Sequence, residues 1–295
     1  GVSPEFGGAL GGIVNAVSKS GDNEFKFGGQ IRIDPSSMRA SQDTVYLANG
    51  NVSSDGATGQ DSYQFTEARL WVSGAIIEDS LFFYGLYEPR KEDETYSTQT
   101  VTTDRVRESD RWFAKADWFV NENHSFGFMA MNNKRTWTKK NYAYDSLANT
   151  VGDKLGVDSP GEDGGQLYSI NYNGYLTDNF SVNAVIGRVV EEVNTIPGST
   201  APSVWDATDG WVKLSNDTDS TLKNEEYTRD QARIDFRLDL EEHAISFGVD
   251  YTNVAVDYLE FPNGEGDAAA WWTVYTAGDG SVSGAPAGDT YIEKR

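Results

Sequence analysis

Between Gln231 and Leu240 every second residue is apolar: Ala232, Ile234, Phe236, Leu238 and Leu240 alternate with Gln231, Arg233, Asp235, Arg237 and Asp239. A period of two puts the two sets on opposite faces of an extended chain, so the segment reads as a β-strand. After the polar stop Glu241-Glu242-His243 the alternation resumes, with Ile245, Phe247, Val249 and Tyr251 opposing Ser246, Gly248 and Asp250. The two runs form a hairpin. The unit recurs three times. Trp112 to Trp118 passes through Asn121 to His124 into Ser125 to Asn132, and Tyr63 to Ile77 passes through Glu78-Asp79-Ser80 into Leu81 to Tyr87. Gln166 to Leu176 passes through Thr177-Asp178-Asn179 into Phe180 to Val190, and Phe25 to Ile33 adds a single strand in front. The expectation is about nine antiparallel strands, each near the roughly 10-residue span of a barrel strand.

The connections alternate between turns of a few residues and long polar segments, such as Trp137 to Gly165 and Asn194 to Thr228, which read as structureless loops. Loops of that length count against a compact soluble domain. They suit an outer-membrane barrel, with short periplasmic turns on one rim and long extracellular loops on the other. The first strand then enters from the periplasmic side. The last, Ala244 to Asp257, ends outside, and Tyr258 to Arg295 reads as an outer loop that does not return. An odd number of strands does not close a single-chain bacterial barrel, so an incomplete barrel is expected.

Alternation alone does not separate a barrel, apolar toward lipid, from a soluble sandwich, apolar inward. The loop asymmetry favours the barrel. No apolar run approaches the roughly 18 to 20 residues of a spanning helix, whereas barrel strands keep mean hydropathy low. Trp112 and Trp118, at the two ends of one apolar row, suit either interfacial girdles or an ordinary core. Asp and Glu number 46 against 24 Lys and Arg, a net charge of -22 that repels nucleic-acid phosphates. With no cysteine, disulfides, thiolate metal sites and a cysteine nucleophile are excluded. Gly1-Val2-Ser3-Pro4 has none of the regions of a signal peptide, so an exported chain is expected to start earlier.

The run Glu5-Phe6-Gly7-Gly8-Ala9-Leu10-Gly11-Gly12-Ile13-Val14-Asn15-Ala16-Val17-Ser18-Lys19-Ser20-Gly21, followed by Asn23-Glu24-Phe25, resembles the end of the plug of TonB-dependent outer-membrane receptors. In particular it is similar to the Oar-like group within that family. Gly7, Gly8, Gly11, Gly12 and Asn15 carry the plug-end motif, in which glycines permit close backbone packing. The resemblance implies an all-β chain, part of a transmembrane antiparallel barrel of about 22 strands with a plugged lumen. Residues 1–24 would be the C-terminal end of the plug, 25–257 the first strands of the barrel and 258–295 a truncated extracellular loop. It further implies energised uptake of a scarce ligand (siderophore, glycan or peptide) across the outer membrane. The partners would be outer-membrane lipid, the TonB complex through a preceding N-terminal part, the extracellular ligand and a surface lipoprotein. The alternatives are a passive porin or surface adhesin, and a secreted soluble carbohydrate-binding β-sandwich.

Signals for catalysis are weak. His124 and His243 fall in expected tight turns, and Gly7 to Gly12 lacks the Lys and Ser or Thr ending of a phosphate loop. No enzyme and no cofactor is expected. Asp206-Ala207-Thr208-Asp209-Gly210 and Asn216-Asp217-Thr218-Asp219 offer oxygen ligands for calcium, but their spacing departs from the EF-hand loop and solvated acidic loop is the better reading. Trp205, Trp211, Trp271, Trp272 and Tyr275 all fall in expected outer loops, where aromatic faces could take a sugar or peptide or could staple loops together.

Overall fold

A computed structural model of the chain describes residues 18–40, 43–51, 53, 60–208, 212–215, 217–266, 269–276 and 287–294. The plug-end glycines Gly7, Gly8, Gly11 and Gly12, with Asn15, lie outside the described residues, as does Trp211. The strands are β1 (Lys26–Asp34), β2 (Ser62–Ile77), β3 (Leu81–Ser97), β4 (Val101–Asn121), β5 (His124–Asn132), β6 (Arg135–Asp145) and β7 (Thr150–Thr177). They continue as β8 (Phe180–Thr195), β9 (Ser203–Asp206), β10 (Val212–Lys213), β11 (Thr221–Asp239), β12 (Ala244–Pro262), β13 (Trp271–Thr276) and β14 (Thr290–Lys294). Among the described residues the only helix is a 3-10 turn at Ser36–Met38, and no helix is long and apolar enough to cross a membrane.

The large sheet is antiparallel throughout and runs β1-β2-β3-β4-β5-β7-β8-β11-β12, with β6 between β4 and β7. Asn132 faces Trp112 while Thr136 faces Glu108, so the register continues unbroken from β5 into β6. These two segments thus fill one strand position, interrupted at Asn133 and Lys134. All nine expected strands are present, in the expected order, and the sheet is open, with β1 and β12 at its edges.

The expected structureless loops need correction. Trp137 to Gly165 is almost wholly strand, in β6 and the first half of β7, and Asn194 to Thr228 contains β9, β10 and the start of β11. Beyond Asp257, β12 continues to Pro262, and β13 and β14 join β9 and β10 in a four-stranded sheet. β7 is 28 residues long, against about 10 for crossing a bilayer. The hairpin β3–β4 likewise runs on from Tyr87 to a turn closed by Thr98 N–H donating to Val101 O at 2.8 Å. The sheet is therefore taller than its apolar part. The extension of the β3–β4 hairpin was hidden because both of its faces are polar, which erases the period-two signal.

Register settles which residues share a face. Phe128 faces Ala116 and Ile170, Ile170 faces Ile186, Ile186 faces Ala232, and Ala232 faces Tyr251. Residues two apart on each strand belong to the same side, which gathers Leu81, Phe83, Trp118, Phe126, Tyr172, Ile234, Phe236, Phe247 and Val249 into one apolar belt near the short turns. The belt is exposed: Ile186 is 56% accessible and Val249 68%. The contacts between elements run between sheet neighbours. So large an exposed apolar surface calls for a non-aqueous neighbour.

At the β5–β6 break the ladder is kept by Asn133, whose side-chain oxygen accepts the Gly165 amide at 2.7 Å while its own amide donates to Gly165 O at 3.0 Å. Gly164 there has φ +94°, and a Cβ on it would lie 2.6 Å from Asn133 O. Gly164→Val is therefore expected to cost about 1 to 3 kcal/mol and to speed hydrogen exchange at Asn133 and Gly165. Unchanged exchange there would refute the constraint.

Candidate functional site

On the opposite side of the sheet the side chains of β1 to β4 form a polar wall. The charged stretches Arg90-Lys91-Glu92-Asp93-Glu94 and Asp104-Arg105-Val106-Arg107-Glu108 lie across from each other as β3 and β4. Their register sets Glu88 against Arg111, Glu92 against Arg107 and Glu94 against Arg105, while β2 sets Glu67 against Arg90. Directly opposed charges of opposite sign are the pairs a sheet favours.

The contacts form a ladder in two clusters. Arg69 reaches Glu88 at 2.5 Å and Glu67 at 3.0 Å, and Arg111 reaches Glu88 at 2.8 Å. Arg107 bridges Glu92 at 3.2 Å and Glu94 at 3.0 Å, Arg105 meets Glu94 at 2.5 Å, and Arg90 meets Glu92 at 2.6 Å. Glu67, Glu88 and Glu92 are buried beneath the arginines that pair with them. Buried carboxylates require such pairing. The Arg90 guanidinium also lies 4.4 Å from the Phe65 ring centre, and that of Arg39 4.1 Å from Tyr63. Five arginines against four glutamates make this wall nearly neutral within a chain of net charge -22. It offers guanidinium edges, with Arg69 47% and Arg111 39% accessible, and aromatic faces beside them. That combination can bind an anionic or hydrogen-bonding ligand and line a wet passage.

The segment preceding β1 leaves on this same polar side. Lys115, which points to the wall, donates to Ser20 Oγ at 2.7 Å, and the Lys19 ammonium lies 5.8 Å from the ring centre of Trp71, another wall residue. Further from the belt, β6 and β7 carry their own pairs. The Asp163 carboxylate grips Arg135 at 2.8 and 2.6 Å and holds its guanidinium further above its usual value, and Glu192 likewise raises Lys134.

Of the expected outer-loop aromatics, the four that are described, Trp205, Trp271, Trp272 and Tyr275, gather on the four-stranded sheet. β9 runs parallel to β13, with Trp205 beside Thr273, so Trp205, Trp271 and Tyr275 share one face and Trp272 lies on the other. Tyr275 stacks on Tyr291 at 5.4 Å, Lys213 lies 5.6 Å from the Trp205 ring centre and Lys294 5.4 Å from that of Trp272. Ser203 and Thr273, on the face of Trp205, are buried, so that face is partly covered.

Of the acids weighed for calcium, Asp206 accepts from the Thr208 amide at 2.9 Å and hydroxyl at 2.6 Å, which holds its carboxyl below the usual range. Asp217 pairs with Lys213 at 2.8 Å, and Asp219 with Lys139 at 3.0 Å and with Ser159. Asp209, Gly210 and Asn216 lie outside the described residues. Among the described residues no three His, Cys, Asp or Glu side chains cluster as metal ligands. His124 is more engaged than a solvated turn residue, with Nδ1 2.8 Å from the Tyr172 hydroxyl at the start of β5.

The ladder went unrecognised in the sequence. A signal was available: charges of opposite sign at spacing two on neighbouring strands, at Glu92 and Glu94 against Arg105 and Arg107.

Comparison with known proteins gives a partial likeness. Over 90 residues, 30% of this chain, the sequence is 31% identical to the TonB-dependent transporter Oar of Myxococcus xanthus. The match spans 8% of that protein's length. No protein-family model and no solved structure matches the chain. An all-β sheet with an exposed apolar belt and a polar reverse face fits an outer-membrane β-barrel.

Proposed function

We propose that this chain belongs to a plugged outer-membrane barrel that imports a scarce ligand with energy delivered by a TonB-type complex. The observation that carries the reading is the departure of residues 19 and 20 along the polar wall, against Trp71 and Lys115. A plug leading into the first strand must leave on the lumen side, and a porin or adhesin needs no such segment. The partial identity to a TonB-dependent transporter supports the same reading. Here the belt faces lipid, the ladder of β2 to β4 lines the lumen, and the long strands project outside the cell. The small sheet with Trp205, Trp271 and Tyr275 joins that outer end, because it connects to the far ends of β8, β11 and β12. Ligand would meet these aromatics first and the arginine edges next, while the plug moves aside. The two-sheet soluble sandwich is disfavoured by the exposure of the belt.

The test uses the intact protein reconstituted into liposomes, with a neutral pentose as the probe. The intact protein is expected to exclude the sugar, and a variant lacking its plug to admit it. Free entry of pentose through the intact protein would assign a porin instead. Recovery of the intact protein from the soluble fraction, with no difference between boiled and unboiled gel bands, would restore the sandwich.

A further inference from the structure

The chain just before β1 is fastened to the sheet at several points. At the short-turn rim Asn23 and Asp79 pair reciprocally: the Asn23 side-chain amide donates to Asp79 Oδ1 at 2.6 Å, and the Asp79 backbone N–H donates to Asn23 Oδ1 at 2.9 Å. Asp79 stands in the β2–β3 turn with φ +58°, a left-handed conformation that Asp and Asn adopt more readily than most residues. Ser80 beside it is tied to β4, its hydroxyl donating to Phe119 O at 2.8 Å and its carbonyl accepting the Phe119 amide at 2.7 Å. Asp22 turns the chain back on itself, accepting the Glu24 amide at 2.9 Å and pairing with the Lys26 ammonium at 2.5 Å. Gly21 then lies against the backbone of β2 and β3. A Cβ there would stand 2.6 Å from Gly74 O and against Phe83 O, so a larger residue would push the chain away. Ser20 accepts the Lys115 ammonium of β4 at 2.7 Å.

We infer that residues 20–23 are a fixed anchor, with Asn23 and Asp79 as its positioning pair, which passes a pull on the preceding segment into β2, β3 and β4 and keeps that pull from unzipping β1. The inference rests on the uptake reading, in which the preceding segment is drawn on from the periplasmic side. Without the anchor, a pull arriving at Lys26 would meet the β1–β2 ladder at its first pair, Lys26 with Ser73, and open it one pair at a time. With the anchor, Ser20, Gly21 and Asn23 meet the pull first. They hold to the β2–β3 turn and to β4, which are joined to each other through Ser80 and Phe119 and through the full β3–β4 register. Movement during uptake is thereby confined to the chain before Ser20.

The experiment holds the full-length protein in a lipid bilayer, pulls its N-terminus from the short-turn side at constant load and follows the length released. Extension is expected to halt once the chain up to Lys19 is free. The six residues from Ser20 to Phe25 then remain, about 20 Å of chain at about 3.5 Å each, before β1 begins to open. The duration of the halt reads the rate at which the anchor opens under load. Asp79→Ala should shorten it about tenfold. Asp79→Asn keeps a side-chain acceptor and suits the left-handed backbone, so it should restore the halt. Asn23→Ala removes the same pair from the other side and serves if Asp79→Ala does not fold, while Asp178→Ala, in the β7–β8 turn, should leave the halt unchanged. Release of the chain straight into β1 with no halt, or equal halts in Asp79→Ala and Asp79→Asn, would overturn the anchor and leave the barrel standing. Failure of the protein to enter the bilayer would overturn the uptake reading and the anchor with it.

Discussion

Ile234→Arg is expected to destabilise the full-length protein in phospholipid vesicles by about 2 to 4 kcal/mol, the cost of a guanidinium on the lipid face near the bilayer midplane. Ile234 sits in mid-belt between Ala184 and Val249, and 37% of its surface is open. On a water-facing surface a residue so accessible would tolerate arginine within about 0.5 kcal/mol. The difference is therefore a direct reading of the neighbouring phase. Gln231→Arg, on the opposite face of the same strand, should change little, because water reaches it. Denaturant unfolding from vesicles measures both. A near-zero effect at Ile234, or equal costs at the two positions, would remove lipid from the belt.

The second large effect is expected at the ladder. Glu88→Ala would strip Arg69 and Arg111 of their shared carboxylate, at 2.5 and 2.8 Å. Because Glu88 is buried whereas the two guanidiniums can rehydrate, the loss should be about 1 to 3 kcal/mol. Glu108→Ala removes only an exposed contact with Lys91 at 3.6 Å and should cost less than about 1 kcal/mol. Hydrogen exchange along β3 beyond Tyr87 is the sensitive readout, since the extension has no apolar face to hold it. Equal protection in the two variants would mean that the strand pairing alone holds the hairpin.

These expectations show where local pattern is informative. Strands such as β11 and β12 were legible to within a residue or two at their short-turn ends, because a boundary between hydrocarbon and water writes apolar and polar residues alternately. At their other ends the same strands ran past expectation. From Glu88 to Ser97 both faces meet water or charge, so alternation vanishes while the backbone ladder continues. The small sheet was invisible for another reason. Its pairings join β9 near residue 205 to β13 near residue 273, and strands of four and six residues carry too little period to register. The aromatics were named as a group, but that Trp205, Trp271 and Tyr275 share a face while Trp272 does not follows from the parallel register alone.

The sequence by itself determined the fold class, the order of nine strands, and the apolar and polar sides of each. Such features depend on residues one and two positions apart. Only the tertiary structure decided that Glu88 stands between Arg69 and Arg111 and that residues 19 and 20 leave along the polar wall. Those depend on register between strands tens of residues apart, and register is set by how whole hairpins pack side by side, not by any local run of the chain.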